Sequence, residues 1–459
     1  MKYAKLYACL LSFASTAVSA QILPAAGQVI TPVTPVIERL PSNLSRLREQ
    51  VENNAKTKLE RGSLATQTLV SNTIKSVTPR FTVPNASTIL SVDGEPIIQE
   101  ISVEDGFIAV EKEWLFMGEE SDIDYFNHPA ISVLEKQFMS SLSKWLFRVK
   151  VEGDTDTVSL IRNSLPEPLQ AQVGRNHIYL SQSKREASLP KSANEHRSVN
   201  HAQTESTGAE DSHTGYIECD SPLRMGMIDT HITSDHPLFS HIQIEQASFL
   251  IEGAEGSSEH GTSVASLMAN VLPPGSQLFN ANVFYTRNSI SRGATLSALL
   301  KGINHLASLQ VDAINMSLAG PNNPLLMAAI TQLDELGIQV IAAVGNEGPA
   351  SLPLYPAAYP QTLGATAVDS DNRIYRWANQ GEYVDFAALG VSVETALPPN
   401  KTIRQTGTSM AAPIIAAKYA CLLRKNKNRQ SALALMQRSA IDAGAPGRDT
   451  VFGFGILLR

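Results

Sequence analysis

The sequence predicts an α/β protein in which a parallel sheet flanked by helices is preceded by a smaller α+β region. Beyond about residue 216, short apolar segments such as LRMGMID and IQVIAAVG alternate with segments whose apolar residues have helical spacing. Short connections between such segments are typical of right-handed strand-helix-strand crossovers in a parallel sheet. Before that point, several segments alternate polar and apolar residues, which indicates a second, smaller unit.

The predicted elements of the C-terminal region follow one another closely. LRMGMID is a strand that ends at Asp229, and a helix follows His260 until Pro273-Pro274 stops it. The helix ATLSALLKGINHLASLQ leads into the strand VDAINMSL, and Gly337 closes the helix PLLMAAITQLDELG. IQVIAAVG is apolar throughout, as expected of a strand buried on both faces. In such sheets ligand sites gather at the carboxyl ends of the strands.

The N-terminal half gives weaker signals. PIIQEISV and GFIAVEKEWLF are predicted strands, and ISVLEKQFMSSLSKW is a predicted helix. LFRVKV, TDTVSLIRNSL and NHIYLSQ then predict a strand, a helix and a strand. SNLSRLREQVENNAKTKLE has roughly helical spacing and is interpreted as a solvated, weakly amphipathic helix rather than a partner-binding one.

Composition divides the chain into five segments. Residues 1–20 have two lysines, an apolar run and a small-residue Val18-Ser19-Ala20 end, which indicates a secretory signal peptide. The apolar run is too short for a membrane anchor, and no later run is long enough to span a bilayer, so we expect an exported, soluble chain. The remaining segments are a Pro-rich and weakly helical stretch, an α+β region, a polar linker or processing region and a catalytic domain, at residues 21–79, 80–182, 183–215 and 216–459.

Charge and cysteine content narrow the function classes. The formal net charge is −7 with 18% charged residues, and no basic patch favours a nucleic-acid partner. Cys9 would leave with the signal peptide, so Cys219 and Cys421 remain. An oxidising compartment favours a disulfide between them, but the apolar helical run around Cys421 leads us to expect two free thiols.

Four polar residues fall at predicted strand ends and helix starts, where sites of parallel sheets gather. Asp229 ends a strand, His260 opens a helix, Asn346 follows a strand and Ser409 opens the last apolar helix. Each alone is explained by a cap or a turn. Together they suit nucleophilic catalysis, because a serine hydroxyl needs a base and the base needs a carboxylate on its other ring nitrogen. An amide and the backbone N–H of Ser409 would then donate to the oxyanion.

Several motifs resemble the signature blocks of the subtilisin-like serine proteases. They are EHGTSVASLMAN, INMSLAGPNN, VIAAVGNEGPAS and GTSMAAPIIAA, with MIDTHI similar to the aspartate block. The order Asp, His, Ser is also that of subtilisin. The resemblance spans nearly all of residues 216–459. It implies a subtilisin-like fold and a serine endopeptidase with Asp229, His260 and Ser409 as triad and Asn346 as oxyanion donor.

The resemblance also implies a substrate pocket with uncharged walls, and therefore a preference for apolar or neutral residues before the cleaved bond. The two walls are Ser317, Leu318, Ala319 and Gly320, and Ala342, Ala343, Val344 and Gly345. Some residues depart from the family pattern. His231 and Ala319 stand where glycines are usual. His231 must form the turn after Asp229 without the backbone freedom of glycine, and it is a rival candidate for the base. The methyl group of Ala319 is expected to narrow the cleft. Ser266 and Leu389 replace a common Gly and Pro.

The N-terminal region acquires an interpretation from the same resemblance. Residues 80–182 would be a prodomain that assists folding and acts as an intramolecular inhibitor, and Lys184-Arg185 is a candidate cleavage site in the processing region. Protein or peptide substrates, a monomer and an extracellular or periplasmic location are expected. Calcium is common in the family, but no acidic loop stands out as a site, so no cofactor is predicted and a structural calcium is left open. A binding scaffold with a weak catalytic centre and an esterase or peptide ligase are the alternatives.

Overall fold

The computed structural model describes residues 86–153, 158–181, 184–185, 217, 219–289 and 291–458. The predicted signal peptide, the Pro-rich stretch with its helix and most of the polar tract 183–215 therefore lie outside the described residues. No described helix is both long enough and apolar enough to cross a membrane.

The N-terminal region forms an antiparallel sheet with two short helices. Its strands are β1 (Ala86–Leu90), β2 (Pro96–Ser102), β3 (Ile108–Gly118), β4 (Ile131–Met139), β5 (Lys144–Val151) and β6 (Val173–Ser181), and the two-residue strand β7 (Lys184–Arg185) lies outside this sheet. The helices are α1 (Val158–Asn163) and α2 (Glu167–Gln170), and two 3₁₀ turns span Glu104–Gly106 and Glu120–Phe126. The predicted α+β character is confirmed, because β5, α1 and β6 coincide with the predicted strand, helix and strand.

The predicted helix ISVLEKQFMSSLSKW is wrong. This segment is strand β4 and the beginning of β5, which pair as an antiparallel hairpin with Val133 opposite Val149 and Phe138 opposite Trp145. The rings of Phe138 and Trp145 lie 5.4 Å apart. The spacing of the apolar residues in this segment fits a helix as well as a strand. Cross-strand contacts of aromatic and β-branched residues favour the sheet.

The C-terminal region alternates strands and helices, as predicted. Its strands are β8 (Arg224–Asp229), β9 (Gln243–Ser248), β10 (Gln277–Asn282), β11 (Tyr285–Thr286), β12 (Arg292–Thr295), β13 (Ala313–Met316), β14 (Leu318–Ala319), β15 (Gln339–Ala343), β16 (Thr362–Val368), β17 (Phe386–Leu389), β18 (Val393–Leu397) and β19 (Lys401–Thr406). Its helices are α3 (Glu259–Ala269), α4 (Leu296–Ser308), α5 (Pro324–Glu335), α6 (Thr408–Asn426) and α7 (Arg429–Ser439).

A seven-stranded parallel sheet organises this region. Its strand order is β17-β16-β15-β13-β8-β10-β9, and every pairing within it is parallel. Residues of α3 and α6 belong to one buried apolar cluster, and residues of α4 and α5 belong to another. All five residues of β15 are buried, as its apolar sequence predicted. The predicted fold class is therefore confirmed.

Cys219 and Cys421 form a disulfide, so the expectation of two free thiols is wrong. Their Cα atoms lie 5.2 Å apart although 202 positions separate the residues in sequence. Cys219 precedes β8 and packs against the same buried cluster to which Cys421 of α6 belongs. Cys421 is buried, as the apolar run around it predicts, but only the tertiary fold brings Cys219 close to it.

Candidate active site

Asp229 and His260 form a buried hydrogen-bonded pair. Asp229 is the last residue of β8, His260 lies in the first turn of α3, and His260 Nδ1 is 2.6 Å from Asp229 Oδ1. The backbone N–H of Thr230 donates to the same Oδ1 at 2.7 Å. A carboxylate accepts only, so Nδ1 carries the proton and Nε2 of a neutral imidazole is left as the basic nitrogen.

Gly261 explains how α3 approaches the aspartate so closely. A Cβ atom at this position would lie 2.4 Å from the carbonyl oxygen of Thr230, a contact that no side chain tolerates. Its backbone N–H instead donates to Thr230 Oγ1 at 2.7 Å. The glycine of the HGTS motif therefore fixes the start of α3, and with it His260, against the end of β8.

His260 Nε2 is buried and has no hydrogen-bond partner within the part of the chain that the structure describes. A nitrogen that lacks a partner in the resting protein is available to receive a proton during a reaction. Hydrogen bonds between a base and a nucleophile are often long before substrate binds, so this geometry is compatible with a general base.

Ser409 lies in the first turn of α6 and is fully buried. Its carbonyl oxygen accepts a 3.0 Å hydrogen bond from Ser317 Oγ, which in turn accepts one from Asn315 Nδ2 at 3.0 Å. Helix α6 also packs against α3. These contacts hold the serine at the edge of the sheet where β8, β13 and β15 end.

Asn346 follows β15 and is anchored to the residue before Ser409. Its Oδ1 accepts hydrogen bonds from the backbone N–H of Thr408 at 3.0 Å and from Thr408 Oγ1 at 3.1 Å. Because the oxygen is engaged by donors, the amide nitrogen is the donor end of this side chain. The Asn346 side chain is thus tied to Thr408, the residue before the candidate nucleophile.

The residues predicted to form the pocket walls are buried at the same sheet edge. Leu318 and Ala319 are β14, and Ser317 and Gly320 flank it. Ala342 and Ala343 end β15, and Val344 and Gly345 follow. All eight side chains or glycines are uncharged. The preference for apolar or neutral residues stays a prediction.

A strand of the N-terminal region lies in this cleft. Strand β6 pairs antiparallel with β12 on one side, with Leu180 opposite Gly293, and with β14 on the other, with Leu180 opposite Ala319 and Ser181 opposite Leu318. The methyl group of Ala319 therefore does not exclude a strand from the cleft. Sequence reasoning predicted β6 as a strand but not its pairing, because local patterns carry no information on partners 110 to 140 positions away.

The next described segment, β7, pairs with the strand that precedes the helix of Ser409. In β7, Lys184 pairs with Thr406 and Arg185 with Gln405 of β19, which ends directly before the helix of Ser409. Residues 182 and 183 lie outside the described residues. The described segments before and after them pair with β14 and with β19, respectively.

Tyr179 anchors β6 in the cleft. Its side chain is fully buried, and its hydroxyl donates to the carbonyl oxygen of Pro321 at 2.9 Å. Burial raises the pKa of Tyr179 well above its ordinary value, so the hydroxyl stays protonated and keeps donating. A Cβ at Gly320 would come within 2.4 Å of the tyrosine ring, so the glycine makes room for it.

The structure accommodates two of the residues that depart from the family pattern, His231 and Ser266. His231 is exposed, and its φ is not among the positive values, so no glycine is needed in the turn after Asp229. His260, not His231, bonds Asp229. Ser266 Oγ donates to the carbonyl of Ser263 at 2.7 Å and accepts from the backbone N–H of Ala396 at 3.0 Å, so its hydroxyl is satisfied inside the fold.

Comparison with known proteins gives a consistent result. The model of the subtilase family matches residues 220–455. A subtilisin of Bacillus pumilus is 32% identical over 222 residues, which cover 45% of this chain and 78% of the relative. Subtilisin amylosacchariticus of Bacillus subtilis subsp. amylosacchariticus is 30% identical over 253 residues, which cover 52% of this chain and 64% of that relative's length.

Among solved structures, a lanthipeptide protease has a TM-score of 0.45 and 20% identity, over 51% of this chain and 85% of its own. That likeness is too low to bear on substrate or mechanism.

Proposed function

Because the chain belongs to the subtilase family, we propose that it is an exported serine endopeptidase whose catalytic residues are Asp229, His260 and Ser409. The observation that carries this proposal is the buried 2.6 Å hydrogen bond between His260 Nδ1 and Asp229 Oδ1. It orients the imidazole and leaves Nε2 as the proton acceptor, which is what activation of a serine requires.

The proposed reaction proceeds through an acyl-enzyme. Ser409 Oγ attacks the carbonyl carbon of the peptide bond, and its proton passes to His260 Nε2. Asp229 stabilises the imidazolium that results. The imidazolium then gives the proton to the leaving amine as the C–N bond breaks. A water molecule, deprotonated by the same nitrogen, then attacks the acyl carbon. The bond from that carbon to Ser409 Oγ breaks, His260 returns the proton to Oγ, and the carboxylic acid product leaves.

Charge that develops on the carbonyl oxygen would be stabilised by two donors. Asn346 is one, since Thr408 engages its amide oxygen and the amide nitrogen is the donor end of the side chain. The backbone N–H of Ser409, at the N-terminus of the 19-residue helix α6, is the other. The helix dipole favours negative charge at this end.

We further propose that the chain is made as a zymogen. Strand β6 occupies the cleft as an extended peptide substrate would, with Leu180 between Gly293 and Ala319. Ser181 pairs with Leu318, and Lys184 pairs with Thr406, which lies three positions before Ser409. The bond cut on activation would then be one of the three peptide bonds between Ser181 and Lys184, rather than a bond after Lys184-Arg185.

The proposal is tested by comparing casein hydrolysis by wild type, Ser409→Ala and Ser370→Ala. Ser370 is an exposed serine outside the site and serves as the matched control. Loss of the nucleophile is expected to lower kcat by about 10⁴-fold or more, whereas Ser370→Ala keeps the wild-type rate. Equal activity of wild type and Ser409→Ala would rule out the assigned nucleophile.

A further inference from the structure

A carboxylate of the N-terminal region is buried against the catalytic region, outside the cleft. Glu100, in β2, is only 1% exposed. Its Oε1 accepts from Tyr285 Oη at 2.7 Å and from Arg287 Nε at 2.8 Å, and its Oε2 accepts from Arg287 Nη2 at 2.6 Å. The Arg287 guanidinium thus binds the Glu100 carboxylate in a bidentate manner, and the Tyr285 phenol donates one further hydrogen bond to it.

The residues around this ion pair pack closely against it and against one another. Glu100 lies on the β1–β2 hairpin, whose Ile89 and Ile98 share a buried cluster with Tyr285. Val92 at the hairpin's turn donates its backbone N–H to Gly253 O at 3.0 Å. Arg287 lies over Gly293 of β12, where a Cβ would meet its Cδ at 2.6 Å.

The burial of Glu100 and of Arg287 is favourable only while the two side chains are paired. A buried charge is costly when its partner is missing, and removal of one member of a buried pair is strongly destabilising. Burial and the adjacent Glu100 keep the pKa of Tyr285 well above its ordinary value, so the phenol donates throughout the neutral range.

We propose that Tyr285 and Arg287 form a carboxylate-binding site that retains the N-terminal region on the catalytic region after the linker between them is cut. Cutting alone would then leave β6 in the cleft, and release would require Glu100 to leave its site. This inference rests on the proposed zymogen function, and it assigns a part of the retention to one ion pair outside the substrate strand, in addition to the pairing of β6.

The test uses the full chain in a Ser409→Ala background, so that no self-cleavage is needed. Trypsin cuts the polar tract 183–215, which contains Lys184, Arg185, Lys191 and Arg197. Gel filtration after serial dilution then gives the dissociation constant of the two fragments. Glu100→Gln and Arg287→Gln are compared with Glu95→Gln, which makes the same change at an exposed position of the same hairpin.

Glu100→Gln and Arg287→Gln are each expected to raise the dissociation constant at least about tenfold, and the double variant less than the product of the two effects. Glu95→Gln should match the parent. If Glu100→Gln does not fold, Arg287→Lys, which keeps the charge but loses the fork, provides the comparison and should weaken retention about tenfold. Equal dissociation constants in all variants would overturn the proposal. A failure of the catalytic proposal would leave this result unaffected, because the assay involves no activity of the chain itself.

Discussion

At the scale of single residues, the sequence identifies the side chains proposed for catalysis but not the contacts that hold them. Asp229, His260, Asn346 and Ser409 each stand in a short local pattern, a strand end or a helix start, that is visible without structure. The hydrogen bonds that fix them come from residues with no such signal. Thr408, which orients Asn346, and Ser317, which bonds the carbonyl of Ser409, are examples.

Asp229→Asn should lower kcat by about 10⁴-fold with little change in folding. An amide at this position can donate to His260 Nδ1, which moves the imidazole proton to Nε2 and prevents it from acting as a base. Steady-state kinetics with a peptide substrate provides the measurement. Asp235→Asn, at an exposed position, is the control, and equal loss in both variants would contradict the role of Asp229.

Asn346→Ala should lower kcat by about 10²- to 10³-fold while KM changes little, since the donor acts on charge that exists only in the transition state. Thr408→Val keeps the amide and removes only one hydrogen bond to it, so its loss should be smaller. A KM effect without a kcat effect in Asn346→Ala would show that the amide binds substrate instead.

Lys418, in the middle of α6, should make stability depend on pH. Its side chain is 1% exposed, and burial lowers its pKa from an ordinary 10.5 to about 8. Between these values the unfolded chain binds the extra proton, so the free energy of unfolding rises with pH. Replacement by Met removes this rise, and the stability of Lys418→Met relative to wild type should fall by about 2–3 kcal/mol from pH 7 to pH 10.5. A constant difference in denaturant titrations would contradict it.

At the scale of elements, prediction succeeded where one strand or helix is specified by its own residues. β15 and α4 have unambiguous patterns and were predicted correctly. The hairpin of β4 and β5 was misassigned because its apolar spacing fits a helix as well, and the partner strand decides. The pairing of β6 with β12 and β14 depends on the fold of both regions and has no local signal.

The disulfide between Cys219 and Cys421 joins the segment before β8 to α6 and closes a loop of about 200 residues. Such a link mainly constrains the unfolded chain, and its reduction should lower the free energy of unfolding by about 2–5 kcal/mol. Denaturant titration of the Ser409→Ala chain with and without reductant measures this without self-digestion. The variant with both cysteines replaced by Ala should already be less stable and should not respond to reductant.

At the scale of the whole molecule, the N-terminal and catalytic regions share a sheet that passes through the candidate cleft. Strand β6 lies between two strands of the catalytic region, and Glu100 is buried against Arg287 beyond it. The protein's own chain therefore pairs with strands of the catalytic region both before and after residues 182 and 183, which lie outside the described residues. Under the proposed zymogen function, this arrangement makes the chain the first substrate of Ser409.

The position of the first cut tests this account most directly. Wild type and Ser409→Ala are expressed in parallel, and intact mass and N-terminal sequencing are applied to the earliest C-terminal fragment. The account predicts that the wild-type fragment begins at residue 182, 183 or 184 and that Ser409→Ala stays uncut there. An earliest wild-type fragment that begins elsewhere, or cleavage of Ser409→Ala at the same bond and rate, would contradict it.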